Sequence, residues 1–234
     1  MTKANNESSA RIAMSTNPSR SRSGVRAATL TIALAAVGIL FGAPSAQATE
    51  QAAPPTCQGE GIERGARIRA EADTVIHAPL STIWNLQTDV ERWPSWQPGV
   101  LTSKRLDSGP LKSQSAFRWT TPAPATATTA ATIVEVTSTV QKIQSNTCIL
   151  WNGPAVGTGV RIDKGTHLWT FTEVKGGVHV HTEETFSGAQ VEREATAVTG
   201  ILRAGLQMWL RDLKAAAEKT TEKAAAEKAA EARR

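Results

Sequence analysis

The chain reads as an α+β protein in which a seven-stranded antiparallel sheet curves around one long C-terminal helix. Two observations predict this class. After a first strand and two short helical segments, six strand-like runs follow one another with short connections, the mark of an antiparallel meander. Then Val191, Ala195, Val198, Leu202, Leu206 (or Gly205), Trp209 and Leu213 recur at steps of three and four, one apolar stripe on a long helix. Such a helix has an apolar face to bury, and the concave face of the sheet is the place for it.

The elements follow in order. Arg67 to His77 alternates weakly and carries Ile68, Val75 and Ile76, a first strand. Pro79 suits the first position of a helix, where a missing N–H costs nothing, and Leu80, Ile83, Trp84 and Gln87 fall at helical spacing. Asp89 is placed to cap a second short helix that stops at Pro94. The six further strands are read as Val100 to Leu106, Ser115 to Thr121, Thr128 to Gln141, Cys148 to Asn152, Thr166 to Val174 and Val178 to Phe186. Turn chemistry separates them: Asp107-Ser108-Gly109-Pro110, Pro122 and Pro124, Gly153-Pro154, Asp163-Lys164-Gly165 and Gly176-Gly177. On the final helix Glu192, Arg193, Arg203 and Arg211 mark the outer face.

The ends differ from this body, which runs from Arg67 to Leu213. Ala27 to Gly42 is a run of apolar or small residues preceded by Arg20, Arg22 and Arg26 and followed by Ala46-Gln47-Ala48. That is the layout of a secretory signal peptide over residues 1–48, cut after Ala48; the run is shorter than membrane spanning needs. An extracytoplasmic location is expected, with membrane contact only through an uncleaved leader. Residues 49–66, rich in Ala, Pro, Gly and Gln, read as a linker or a surface-hugging tail. Residues 214–234, with nine Ala among Lys, Glu, Arg and two Thr, read as a solvated extension of the last helix.

Charge excludes one class of partner. The whole chain carries 26 Lys and Arg against 21 Asp and Glu, and a pI near 9.5. Five of those cations and only Glu7 among the acids lie in the leader, so the remainder is close to neutral. The basic pI therefore gives no support for nucleic-acid binding. Cys57 and Cys148, the two cysteines, remain after export, where a disulfide between them is permitted; two separate thiols are the alternative.

The residues Ile76-His77-Ala78-Pro79, Ile83-Trp84 and Thr88 through Pro98 (TDVERWPSWQP) resemble the START-like (SRPBCC, helix-grip) superfamily, and particularly its bacterial polyketide cyclase/dehydrase branch. Phe117-Arg118-Trp119, Leu150-Trp151-Asn152-Gly153, His167-Leu168-Trp169 and Gly176-Gly177 through Thr182-Glu183-Glu184 extend the likeness over nearly the whole body. The resemblance implies a helix-grip fold with a cavity between sheet and helix. It implies little about activity, since lipid carriers, hormone receptors and aromatic cyclases share that fold.

Alternation along strands names the lining of such a cavity. If Gly176 and Gly177 form a two-residue hairpin loop, Lys175 pairs with Val178, Phe171 faces Thr182, Trp169 faces Glu184 and His167 sits across from Phe186. One face then shows His167, Trp169, Phe171, Val178, Val180, Thr182, Glu184 and Phe186; it is mostly apolar and is taken as the inner face. A three-residue loop would turn His181 and Glu183 inward instead. Phe117, Trp119, Ile149 and Trp151 point inward on their strands, Leu202, Leu206 and Trp209 face them from the helix, and Trp84, Trp93 and Trp96 close one end. The seven Trp offer large flat surfaces with one N–H each, suited to stacking on rings or to filling a core.

His167 and Glu184 are diagonal neighbours on this register and form the one polar spot. They could anchor a ligand hydroxyl, act as acid and base on a carbon next to a carbonyl, or simply satisfy each other. His179, His181 and Glu183 share the outer face and read as a solvated strand surface rather than a metal site. No nucleophile elbow, phosphate loop or Cys–His signature is present, and the chain has no Tyr to steady an enolate. The expectation is a monomeric, secreted binding protein for a small apolar, lipid- or polyketide-like ligand, without cofactor or metal. A cyclase or dehydratase using His167 and Glu184 is the alternative.

Overall fold

The computed structural model describes residues 53–234. The leader and its cleavage site lie outside the described residues. Within them the order is β1 (Ile68–Ile76), α1 (Leu80–Thr88), a 3-10 turn (Val90–Ser95), β2 (Thr102–Arg105), β3 (Ala116–Ala123), β4 (Thr132–Gln144), β5 (Cys148–Gly157), β6 (Val160–Val174), β7 (Gly177–Ser187), a second 3-10 turn (Val191–Glu194) and α2 (Ala195–Glu231). All neighbouring strands are antiparallel, and the seven-stranded sheet runs β1-β7-β6-β5-β4-β3-β2, so β1 closes onto the last strand rather than the next. The expected α+β class and its curved sheet around a long helix hold.

Inside the curve, α2 packs chiefly along β1 and α1 and buries Leu202, Leu206, Trp209, Leu210, Leu213 and Ala217, the predicted stripe continued by one turn. The helix is longer than its apolar stripe because Lys214 donates to the Val75 carbonyl at 2.8 Å and Glu218 accepts from the His77 backbone N–H at 2.9 Å. These contacts tie the start of the charged tail to the end of β1. Beyond them the helix continues, largely exposed, on Ala, Lys and Glu with Thr220 and Thr221, whose hydroxyls donate to the Ala216 and Ala217 carbonyls.

Several sequence-derived boundaries are corrected. Pro79 stands at the N-cap of α1, one residue before the first turn, and Asp89 makes no side-chain capping bond. The segment after it is a 3-10 turn that runs through Pro94 rather than stopping there. Pro122 lies inside β3, opposite Ile133. Gly153-Pro154 is a bulge within β5 and not a turn: a Cβ at Gly153 would collide with the Thr137 carbonyl, so the two strands approach there only because the residue is glycine. Asp163-Lys164-Gly165 likewise lies in β6. The chain reverses instead at Thr158-Gly159, where Gly159 has φ +73°. Strand β4 starts at Thr132, later than Thr128, and β2 is shorter at both ends than Val100 to Leu106.

The β6–β7 turn is Lys175-Gly176, not Gly176-Gly177. Val174 pairs with Gly177, so Phe171 faces Val180, Trp169 faces Thr182 and His167 faces Glu184. Gly176 takes φ +88° in the turn, while a Cβ on Gly177 would strike the Ile76 carbonyl of β1. The need for close passage beside β1 places the second glycine in the strand. The slip from the expected register is two residues, which preserves which side chains face inward.

Residues 53–66 hug the outer face of the sheet. Cys57 is joined to Cys148 at the start of β5, with Cα atoms 5.4 Å apart, and packs with Ile62, Leu150 and Leu168. Glu60 meets Lys142 at 3.0 Å. Glu183 is therefore buried rather than solvated, between Arg64 at 3.8 Å, Arg69 at 3.7 Å and His181 at 3.2 Å. Among the described residues no group of three or more His, Cys, Asp or Glu is arranged to hold a metal ion, and no helix is long and apolar enough to cross a membrane.

Candidate functional site

The interior of the curve is built of rings. Trp93, carried on the 3-10 turn, is wholly buried at its centre, its ring centroid 5.4 Å from Phe117, 5.9 Å from Trp119, 6.0 Å from Trp151 and 5.0 Å from Trp209. Most of these contacts are edge-to-face, the favoured electrostatic arrangement. Trp96 meets Trp209 at 6.3 Å, Trp169 meets it at 6.1 Å, and Trp84 packs on Phe171 at 5.5 Å. The period-2 reading of β3, β5 and β6 thus brings Phe117, Trp119, Trp151, Trp169 and Phe171 to one face. Leu202 and Leu206 do not join the rings; they pack with Ile68, Val134, Ile162 and Val191 toward the other end of the sheet.

Two residues that organise the rings carried only a faint signal in sequence. Gln87 is a polar residue on the buried stripe of α1 and is fully buried. Its Oε1 accepts from the Trp209 indole at 3.1 Å and its backbone carbonyl accepts from Trp93 at 3.0 Å. Ser138, buried on β4, accepts from Trp119 at 3.2 Å. A polar side chain at an apolar position was the only clue to either.

One wall is polar. His167 lies between Trp151 and Trp169, 5.1 Å from each, with Nε2 2.7 Å from Thr182 Oγ1 and Nδ1 3.4 Å from Glu184 Oε2. The proton inventory follows from valence. Thr182 donates its single hydroxyl proton to the Leu168 carbonyl at 3.1 Å, so Nε2 must donate to Thr182 and Nδ1 is left with a lone pair. An ionised Glu184 would set lone pair against lone pair; a protonated one does not. Burial drives both groups the same way, pushing the imidazole down to about 3 and the Glu184 carboxyl up to about 8. At neutral pH the pair is uncharged. Glu184 is its outer member, with 15% of its side chain accessible against 4% for His167.

Two surface clefts of the described residues lie elsewhere. One, of about 390 Å³, sits at the β6–β7 turn between His77, Pro79, Glu173 and Thr221, and the other, of about 310 Å³, lies under the N-terminal segment beside Glu63, Gln141 and Lys164. Neither is lined by one of the aromatic rings.

A curved antiparallel sheet gripping a long C-terminal helix, with two short helical segments after the first strand and an aromatic interior, defines the START-like helix-grip class. Over residues 67–218 the sequence matches the family described as polyketide cyclase / dehydrase and lipid transport, and the chain belongs to that family. Among solved structures it is similar to a START superfamily protein from Mycobacterium smegmatis, with a TM-score of 0.51 and 14% identity over 65% of this chain and 99% of that one. It is also similar to the di-domain ARO/CYC StfQ from the steffimycin biosynthetic pathway, with a TM-score of 0.50 and 16% identity over 65% of this chain. This chain spans 51% of that di-domain protein's length. At such identities the likeness is one of fold. No curated protein matches the sequence.

Proposed function

We propose that the chain is an exported carrier that takes a small, largely apolar ligand between its sheet and α2. The observation that carries this reading is the convergence of rings from β3, β5 and α2 on Trp93, with rings of α1 and β6 in the same cluster and one uncharged polar pair in the wall. Trp93 sits at the centre of these rings on a short 3-10 turn that lacks a side-chain cap. The signal-peptide layout of residues 1–48 and the Cys57–Cys148 link support export. Native mass spectrometry of the protein purified from its own secretion medium tests the reading. A co-purified apolar mass on a chain that begins at Thr49 is expected; a reproducibly empty protein overturns it.

The second reading is an enzyme of the cyclase or dehydratase kind. A carboxylic acid whose proton leaves near pH 8 beside an imidazole lone pair is suited to moving a proton to or from a carbon next to a carbonyl. Replacing His167 and Glu184 together by Gln separates the two. Turnover lost with binding retained favours the enzyme; unchanged behaviour in both assays removes the pair from the site.

A further inference from the structure

On the outer face of the sheet, the cleft of about 310 Å³ under residues 60–63 holds polar groups that are fixed in place and unmatched. Its roof is anchored at three points: the Cys57–Cys148 link, the packing of Ile62 on Leu150 and Leu168, and the 3.0 Å pair of Glu60 with Lys142. Beneath it, the Gln141 amide nitrogen donates to the Thr139 carbonyl at 3.0 Å and to Asn152 Oδ1 at 3.1 Å. A backbone carbonyl can only accept, so the first bond fixes the Gln141 amide and the second then fixes that of Asn152. Gln141 is left with an oxygen to accept and Asn152 with an NH2 to donate. Thr166, directly opposite Asn152 on β6, is only 7% exposed, and its hydroxyl has no partner among the described residues. Glu63 on the roof and Lys164 on β6 line the same cleft with opposite charges. Unlike Glu60, neither has an ion-pair partner among the described residues.

We infer that this cleft binds a small zwitterion of the α-amino acid class. Lys164, the Asn152 NH2 and the Thr166 hydroxyl are the donors for its carboxylate, and Glu63 with the Gln141 amide oxygen are the acceptors for its ammonium. A simple anion would meet Glu63 and Glu60, and a simple cation would meet Lys164. A molecule that carries both charges gives each of these groups a partner and adds no net charge to the cleft. A sugar is less suited, because no aromatic side chain lines the cleft to stack against its ring. The site lies on the face of the sheet opposite the ring cluster, so it stands or falls independently of any ligand held among the rings.

Amide NMR titration of the full, disulfide-bonded chain at pH 7 with L-alanine, N-acetyl-L-alanine, L-alaninamide and glycine betaine tests this. L-alanine is expected to shift the resonances of Gln141, Asn152 and Thr166 and to leave the Trp93 and Trp209 indoles where they are. N-acetyl-L-alanine lacks the ammonium and L-alaninamide the carboxylate. Each is expected to bind roughly tenfold or more weakly, the worth of a charge-assisted hydrogen bond. Glycine betaine keeps both charges without an N–H and is expected to weaken by a similar factor. Lys164→Met changes an exposed side chain and is expected to weaken L-alanine about tenfold while L-alaninamide binds as before; a general structural loss would weaken both. No shift with L-alanine, or shifts confined to the ring cluster, overturns the inference. Equal binding of the four molecules overturns the zwitterion, and betaine binding as tightly as L-alanine overturns the amino acid class. Lys164→Met binding L-alanine like the parent, or losing both ligands alike, overturns the carboxylate's place.

Discussion

His167 and Glu184 stand directly opposite one another on β6 and β7, Nδ1 3.4 Å from Oε2, and neither carries charge at neutral pH. Burial gives each of the two groups its own stability signature. His167 has its folded pKa depressed from 6.5 to about 3, so the stability tied to it is complete above pH 6.5 and falls away as pH drops toward 3. Glu184 has its folded pKa raised from 4.5 to about 8, so its contribution is complete below pH 4.5 and lost as pH rises toward 8. The two windows overlap below pH 6.5; above it, up to pH 8, only Glu184 of the pair acts. Urea unfolding over that window is expected to show stability declining with pH, by at most about 1.4 kcal/mol per unit. In Glu184→Gln the decline is expected to disappear; a slope unchanged by the substitution contradicts the assignment.

The tautomer deduced for His167 has its own test. At pH 7 the imidazole nitrogen resonances are expected to report a neutral ring protonated at Nε2. Thr182→Val removes the acceptor at 2.7 Å and is expected to cost about 1–3 kcal/mol, while Thr182→Ser retains most of the stability. A neutral ring protonated at Nδ1 would require Thr182 to donate to histidine instead of to Leu168.

The N-terminal clasp is expected to be a large stabilising element. Cys57 and Cys148 are 91 residues apart in sequence, and removing the link with Cys57→Ala and Cys148→Ala is expected to cost about 2–4 kcal/mol by denaturant unfolding. Thiol titration of the purified, unreduced protein under denaturing conditions is expected to find no free thiol before reduction and two after it.

Two glycines should respond oppositely to the same substitution. Gly153→Ala forces a methyl group into the Thr137 carbonyl at the β5 bulge and is expected to destabilise by more than about 2 kcal/mol. Gly205→Ala meets open space on α2 and is expected to stabilise by about 0.5–1 kcal/mol, the ordinary helix preference of alanine over glycine. Thermal melts of both variants against the parent chain check the pair.

Gln87 and Trp209 provide the last prediction. Gln87→Met and Trp209→Phe each break the bond that joins α1 to α2 inside the rings. The double variant is expected to cost less than the two singles combined, with a coupling of about 1 kcal/mol in a double-mutant cycle. Strict additivity would mean that the bond contributes nothing.

What sequence alone determined here is local periodicity. Alternation put Phe117, Trp119, Trp151, His167 and Trp169 on one face, and steps of three and four put Leu202, Leu206 and Trp209 on one stripe, because those periods are properties of single strands and helices. The inner face even survived a misplaced hairpin turn, since a slip of two residues keeps parity. Pairing is different, because it depends on what lies next door in space. The close passage of β1 moved Gly177 into a strand and made His167 and Glu184 direct partners rather than diagonal ones. The same holds for Gly153-Pro154 and Asp163-Lys164-Gly165, turn-like in isolation and held in strands by their neighbours. Only tertiary structure decided that Trp93 occupies the centre of the rings, that Gln87 organises them, and that Glu183 is buried under the N-terminal segment. Each of these joins residues far apart in the chain, and no local pattern encodes such a meeting.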